Sequence, residues 1–247
     1  MKINKLIKRI IKDVACRFTT QNHLLRYRTN ALLIDDYKQK NINVIYDIGA
    51  HQGDWATEIH SLMPNAHFIL FEANPQHEKK LAQLGHRFFN TVLTKPGIQE
   101  VEFFVPSGAQ STSTGASYLK EITPHYEHVK VTVLKATTLD ELLSTYSLPQ
   151  PDLIKIDTQG SELDIIEGGR KIFSGAKWIL MELPLIEYNE GAPDFSLYIA
   201  TLDELGFAPV EVAEIHHYGR IAFQIDLLFL NKKFIDSTNL QALRLIS

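Results

Sequence analysis

One cysteine, Cys16, is all that the 247-residue sequence contains. An internal disulfide framework and a multi-cysteine zinc site are thereby excluded, and the cytosol is the default compartment. Basic residues are not in excess either: 25 Lys and Arg face 29 Asp and Glu, a net charge of −4. A protein that coats nucleic acid must neutralise phosphates, so no nucleic-acid partner is expected. Apolar residues make up 45% of the chain, yet no uninterrupted run reaches the roughly 18 residues that span a bilayer. Internal repeats and a dividing linker are also missing. At roughly 150 residues per domain, the length fits a single α/β layer structure. A chain of this size buries about 70–75% of its unfolded surface and needs neither disulfide nor metal to fold.

What is present begins with an amphipathic segment. Ile3, Leu6, Ile7, Ile10, Ile11 and Val14 recur at helical spacing, and Lys2, Lys5, Lys8, Arg9, Lys12 and Arg17 take the other face. These basic residues interrupt it too often for a secretory signal, whose apolar core runs about 7–15 residues. Two readings stay open for residues 1–18: a helix packed on the domain or on a partner subunit, and a helix lying on an anionic membrane surface. The second places a cytoplasmic protein peripherally at the inner face of a membrane. The oligomeric state is not legible.

From residue 42 onward, strand and helix patterns alternate. Short apolar runs at 43–48, 66–72, 87–93, 151–157 and 177–182 read as buried strands. Helical spacing over 53–61, 75–84, 138–146, 162–168 and 195–205 separates most of them. Runs at 101–105 and 129–134 are two further strands flanking a long hydroxyl-rich loop, and 207–213 and 223–231 follow each other without a helix. Such alternation predicts a Rossmann-like doubly wound α/β sheet, mostly parallel with an antiparallel last strand. The expected organisation is a helical extension over 1–40, one domain over 41–235 and a tail over 236–247.

In an open parallel sheet, ligands bind beyond the carboxyl ends of the strands. The first strand ends in Asp47-Ile48-Gly49-Ala50-His51-Gln52-Gly53 and the second in Phe71-Glu72-Ala73-Asn74-Pro75. Gly49 permits a tight turn, Gly53 opens a helix, and Glu72 stands where an acidic side chain accepts hydrogen bonds from ribose hydroxyls. This predicts an adenosine-containing ligand. A dinucleotide site wants glycine where His51 stands, and Asp47 repels a pyrophosphate. It suits instead the amino group of S-adenosylmethionine, which is preferred over NAD.

The blocks Val44–Gly53, Phe71–Pro75, Thr138–Leu142 and Asp152–Gly169 resemble FkbM-type methyltransferases, as do Tyr188–Pro193 and Gln224-Ile225-Asp226. The resemblance covers roughly residues 41–231. It implies a class I S-adenosylmethionine-dependent fold and, usually, O-methylation of a hydroxyl on a sugar, polyketide or similar metabolite, as in polysaccharide biosynthesis. Carried onto this chain, Asp47, Gly49, Ala50, His51 and Gly53 surround the methionine end. Glu72 and Asn74 take the ribose, Asn90 lies beside the adenine, and Ser113 with Thr114 closes over the site.

Methyl transfer to oxygen needs an aligned nucleophile and somewhere for its proton to go. Asp157, Glu182 and His216 are the expected catalytic residues. Asp157 and Glu182 end neighbouring strands, and His216 follows the next strand with Asp226 on its antiparallel partner. The same three could hold a divalent cation that acidifies the acceptor, but no spacing motif demands one and no metal ligands are assigned. The leading reading is an O-methyltransferase acting on a sugar, glycoconjugate or similar small molecule. An NAD-dependent oxidoreductase and a non-catalytic adenosine-binding module in a biosynthetic complex are the alternatives.

Overall fold

The computed structural model describes residues 21–107, 116–120, 128–187 and 189–235. The basic segment 1–18, Ser113, Thr114 and the tail from 236 lie outside the described residues. Residues 21–38 are helical (α1). There follow β1 (Val44–Ile48), α2 (Asp54–Leu62), β2 (His67–Glu72), α3 (Glu78–Gln83), β3 (Arg87–Asn90), β4 (Val92–Leu93), β5 (Glu100–Pro106) and β6 (Val129–Thr137). The second half runs α4 (Leu139–Tyr146), β7 (Leu153–Ile156), α5 (Glu162–Gly168), α6 (Arg170–Gly175), β8 (Trp178–Pro184), α7 (Phe195–Glu204), β9 (Phe207–Tyr218) and β10 (Ile221–Asn231). No helix among the described residues is long and apolar enough to cross a membrane.

Seven strands form the main sheet in the order β3-β2-β1-β7-β8-β10-β9. β1 pairs in parallel with β2 and β7, β7 with β8, and β2 with β3. β10 runs antiparallel to both β8 and β9. The central strands are short and apolar on both sides because both faces are covered. Tyr46, Ile48, Ile154, Ile156, Ile179 and Met181 pack against α4, α5, α6 and α7. Ile45, Leu153 and Leu180 pack on the other side, against Leu33 of α1 and Ala56 and Ile59 of α2. Side chains alternate along a strand, so Asp47, Lys155 and Glu182 emerge on the α1–α2 face.

The expected strand 87–93 is two strands. After Asn90, the Thr91 N–H closes on Glu72 O, ending the pairing with β2. Val92 and Leu93 then pair in parallel with Ala136 and Thr137 of β6. β6 in turn pairs antiparallel with β5, so β4, β6 and β5 make a separate sheet. Apolar continuity hides the break: Phe88 and Phe89 are half-buried, and Val92 and Leu93 are buried. Helix α4 carries a capping box: Thr138 Oγ1 accepts from the Glu141 N–H, and the Glu141 carboxylate accepts from the Thr138 N–H.

Helix α1 is tied to β9 by Asn22 with Ile215 and by Arg26 with Glu214, and to β8 by a buried carboxylate. Asp36 accepts from the buried Trp178 Nε1–H at 2.6 Å and pairs with Lys177 Nζ. Burial works against its charge, but these donors hold its carboxyl below the ordinary range. Asp36→Ala leaves the indole N–H buried without an acceptor, so it is expected to cost about 1–3 kcal/mol. Urea unfolding followed by Trp fluorescence measures the loss.

Candidate active site

The turn after β1 and the end of β2 meet, as parallel neighbours must. The N–H groups of Gly49 and Ala50 both reach Phe71 O, at 2.9 and 3.0 Å. The Glu72 carboxylate joins the two turns, accepting from the His51 N–H at 2.6 Å and the Asn74 N–H at 2.7 Å. Its burial pushes its pKa up to about 7, against the pull of those two donors. Gly49 is required here: its φ is +78°, and a Cβ would stand 1.8 Å from Asp157 O. His51 also takes a left-handed backbone, φ +49°, at a non-glycine position that gives no such warning in the sequence.

Glu72, Gly49 and His51 line a cavity whose other walls include Leu93, Phe103, Tyr118 and Ile165. Asp47, Ala50, Gly53, Asn74 and Asn90, also assigned to the cofactor, are not among the residues that line it. Ala50 is buried against α2. Gly53 caps α2, and a Cβ there would meet Leu84 at 2.2 Å. Asn74 is buried, its Oδ1 accepting from the Gln76 N–H. Asn90 donates to Glu72 O at 2.9 Å and so fixes the strand end. Asp47 has no exposed surface and faces the opposite side of the sheet, with Lys155 Nζ at 3.5 Å. Burial holds its carboxyl above the ordinary range although Lys155 opposes this.

Asp157, just past β7, lines both this cavity and a second cleft. Lys155 Nζ lies 3.2 Å from Asp157 Oδ2 and donates to Gly49 O at 3.4 Å. Burial disfavours the ammonium, but Asp157 and Asp47 raise its pKa above the ordinary lysine value. Burial likewise opposes ionisation of Asp157, and Lys155 with Gln159 outweighs it, so this carboxyl is held low. Gln159 Nε2 bridges Asp157 Oδ1 at 3.0 Å and Glu182 Oε1 at 2.8 Å. A second amide, Gln224 Nε2, donates to the same Glu182 oxygen at 2.6 Å.

Beyond Glu182 stand His216 and Asp226. In register, Asp226 lies opposite Glu182 on β8, and Gln224 opposite His216 on β9. His216 Nε2 is 3.4 Å from Asp226 Oδ1 and 4.0 Å from Glu182 Oε2. Pairing irregularities occur on both sides of this point of the β9–β10 ladder, a device that re-aims side chains. Burial, with Asp157 and Asp226 nearby, pushes Glu182 well above the usual carboxylate range. Asp226 raises His216, and burial raises Asp226 itself. Thus Asp157 from the turn after β7, Glu182 from β8 and His216 from β9 share one cleft.

The far wall of that cleft comes from α1: Arg26, Thr29 and Asn30 line it. Arg26 Nε donates to Glu214 at 2.7 Å. These residues carry no motif, and their role follows only from where α1 docks. Glu162, at the start of α5, is structural. Its Oε1 accepts from the Thr158 and Gly160 N–H groups and its Oε2 from Tyr198 OH, at 3.0, 3.1 and 2.9 Å.

A family model described as the methyltransferase FkbM domain matches residues 47–209. The hexuronic acid methyltransferase AglP of Haloferax volcanii is 22% identical over 183 residues, which is 70% of this chain and 72% of that protein. Among solved structures, the methyltransferase FkbM of Methylobacillus flagellatus KT aligns over 76% of this chain at 10% identity, with a TM-score of 0.46. The chain spans only 44% of that protein's length. The magnesium protoporphyrin IX methyltransferase of Synechocystis PCC 6803, solved with bound SAM, aligns over 87% of this chain and 82% of its own at 8% identity and a TM-score of 0.46.

Replacing Lys155 tests the electrostatics directly. Lys155→Met leaves Asp47 buried without its counter-charge, a loss expected to cost about 3–5 kcal/mol at neutral pH. Folded Asp47 then binds its proton more tightly than the unfolded chain does. Its penalty is therefore smallest at low pH and grows as pH rises from the ordinary carboxylate value through the elevated one. Urea midpoints at pH 5 and pH 7.5 are expected to differ more from wild type at the higher pH.

Proposed function

Because the chain belongs to the FkbM methyltransferase family and has the class I methyltransferase fold, we propose that it methylates a hydroxyl of a sugar, glycoconjugate or similar metabolite. The nicotinamide-dependent alternative is set aside by that membership. The observation that carries the reading is the single carboxylate, Asp157, standing between the Glu72 cavity and the polar cleft. A donor held on one side and an acceptor on the other meet at that wall.

The first cavity suits a nucleoside. Each Glu72 oxygen accepts one backbone N–H and keeps lone pairs for ribose hydroxyls. Gly49 leaves bare backbone beside it, and Leu93, Phe103 and Ile165 supply apolar surface for a base. When bound there, S-adenosylmethionine supplies an already activated methyl on a sulfonium. The chain's own task is to align the acceptor oxygen and to take its proton as the O–CH₃ bond forms and the S–CH₃ bond breaks. Glu182 and His216 are the proton acceptors of this reading. Burial and neighbouring carboxylates raise Glu182 toward the range where a carboxylate is an effective base, and two amides fix its orientation. The sugar class is supported by AglP, which acts on a hexuronic acid, and by the hydrogen-bonding side chains of Thr29 and Asn30 in the cleft.

Calorimetry with S-adenosylhomocysteine, followed by labelled methyl transfer to a panel of sugars and lipid-linked glycans, tests the reading. Tight NAD binding with no response to the homocysteine compound overturns it. Glu72→Ala is expected to weaken nucleoside binding by about 1.5–3 kcal/mol, the range for hydrogen bonds to a charged group. Ribose hydroxyls donate to the ionised carboxylate, so binding favours the charged form of a group whose pKa is about 7. Affinity is thus expected to fall as pH drops below 7, and Glu72→Gln to flatten that profile. Glu182→Gln is expected to lower turnover by roughly 10²–10⁴-fold with nucleoside affinity kept. Unchanged turnover removes Glu182 as the proton acceptor, whereas nucleoside binding without methyl transfer to any acceptor by the wild-type chain favours the non-catalytic adenosine-binding module.

A further inference from the structure

Glu182, His216 and Asp226 converge more closely than proton transfer requires. One donor atom from each, His216 Nε2 and a carboxylate oxygen from each acid, lies within 4.8 Å of the other two. The closest approaches to His216 Nε2 are 3.4 Å from Asp226 Oδ1 and 4.0 Å from Glu182 Oε2. Donors bonded to one small cation at roughly 2.1 Å are at most about 4.2 Å apart, so only a slight inward turn closes the set.

The charge balance of the cleft points to a missing positive charge. Asp226 Oδ1 is fully buried, and the group facing it is the His216 imidazole of the same cluster, 3.4 Å away. Around it, six of the cleft's lining residues are acidic against Arg26 and Lys155. Both cations are already engaged, Arg26 by Glu214 and Lys155 by Asp47 and Asp157. The Glu182 side chain is also preset. Gln159 and Gln224 hold its Oε1, which turns Oε2 toward His216, as outer-shell hydrogen bonds orient metal ligands.

We propose that Glu182, His216 and Asp226 bind one divalent cation, with Mn²⁺ the best match for two carboxylates and an imidazole. The proposal rests on reading the cleft as the acceptor site. An acceptor hydroxyl entering an open position on the ion is acidified. With Glu182 and His216 serving as ligands, the Asp157 carboxylate on the adjoining wall replaces them as the proton acceptor while the O–CH₃ bond forms and the S–CH₃ bond breaks. His216 serves in this arrangement as a ligand, held neutral by the ion.

The test is a titration of the full chain with MnCl₂, followed by electron paramagnetic resonance without any nucleoside. One Mn²⁺ per chain with hyperfine coupling to a histidine nitrogen is the expected result. His216→Ala and Asp226→Asn are each expected to weaken it at least tenfold, with His217→Ala unchanged. Asp226→Asn keeps the side chain's size, so it carries the test if His216→Ala fails to fold. No Mn²⁺ bound at millimolar concentration, or affinity unaltered by both substitutions, overturns the site. S-adenosylhomocysteine binding in the same samples separates the two readings. Its retention without Mn²⁺ binding removes the cation alone, and its loss with Mn²⁺ retained removes the methyltransferase reading of the other cavity.

Discussion

The buried ammonium of Lys155 is the contact on which the site depends. It reaches Asp47 on β1, Asp157 past β7 and the carbonyl of Gly49 in the turn between them. Without it, two carboxylates and a carbonyl dipole would crowd one nearly water-free point, and the turn that faces the first cavity would lose its backing. One positive charge thus allows a negative row to continue from Asp157 through Glu182 to Asp226. The row is the chemistry of the cleft, and the lysine is what makes it foldable.

Much of the fold was legible because a buried parallel strand and an amphipathic helix leave different periods. β1, β2, β7 and β8 are apolar on both faces, and the helices between them have one apolar side. What escaped was set by contacts distant in sequence. Nothing local tells Thr91 to abandon β2 for a second sheet, since Phe89 and Val92 are equally acceptable strand residues on either side of the switch. The docking of α1 uses distant partners, such as Trp178 for Asp36, 142 positions away in the chain.

The candidate site divides along the same line. Gly49 and Glu72 could be paired from their spacing because adjacent parallel strands bring successive turns together. Asp157, Glu182 and His216 could be grouped by reasoning about strand ends. The direction in which Asp47 points could not: alternation along β1 sends it to the α1–α2 face, where it meets Lys155 and not the first cavity. The bridging of Asp157 and Glu182 by Gln159 is a property of three-dimensional spacing. Arg26, Thr29 and Asn30 were invisible, since a helix face acquires meaning only from what it lands on.

The family match ends at residue 209 and begins at 47, yet His216, Asp226 and the α1 wall of the cleft all fall outside it. The cavity beside Glu72 is lined wholly from within the matched block, whereas the polar cleft takes part of its lining from before and after it. Asp157 lines both. Swapping the terminal segments could retune selectivity while leaving the shared engine untouched, and two relatives alike over the matched block need not favour the same molecule.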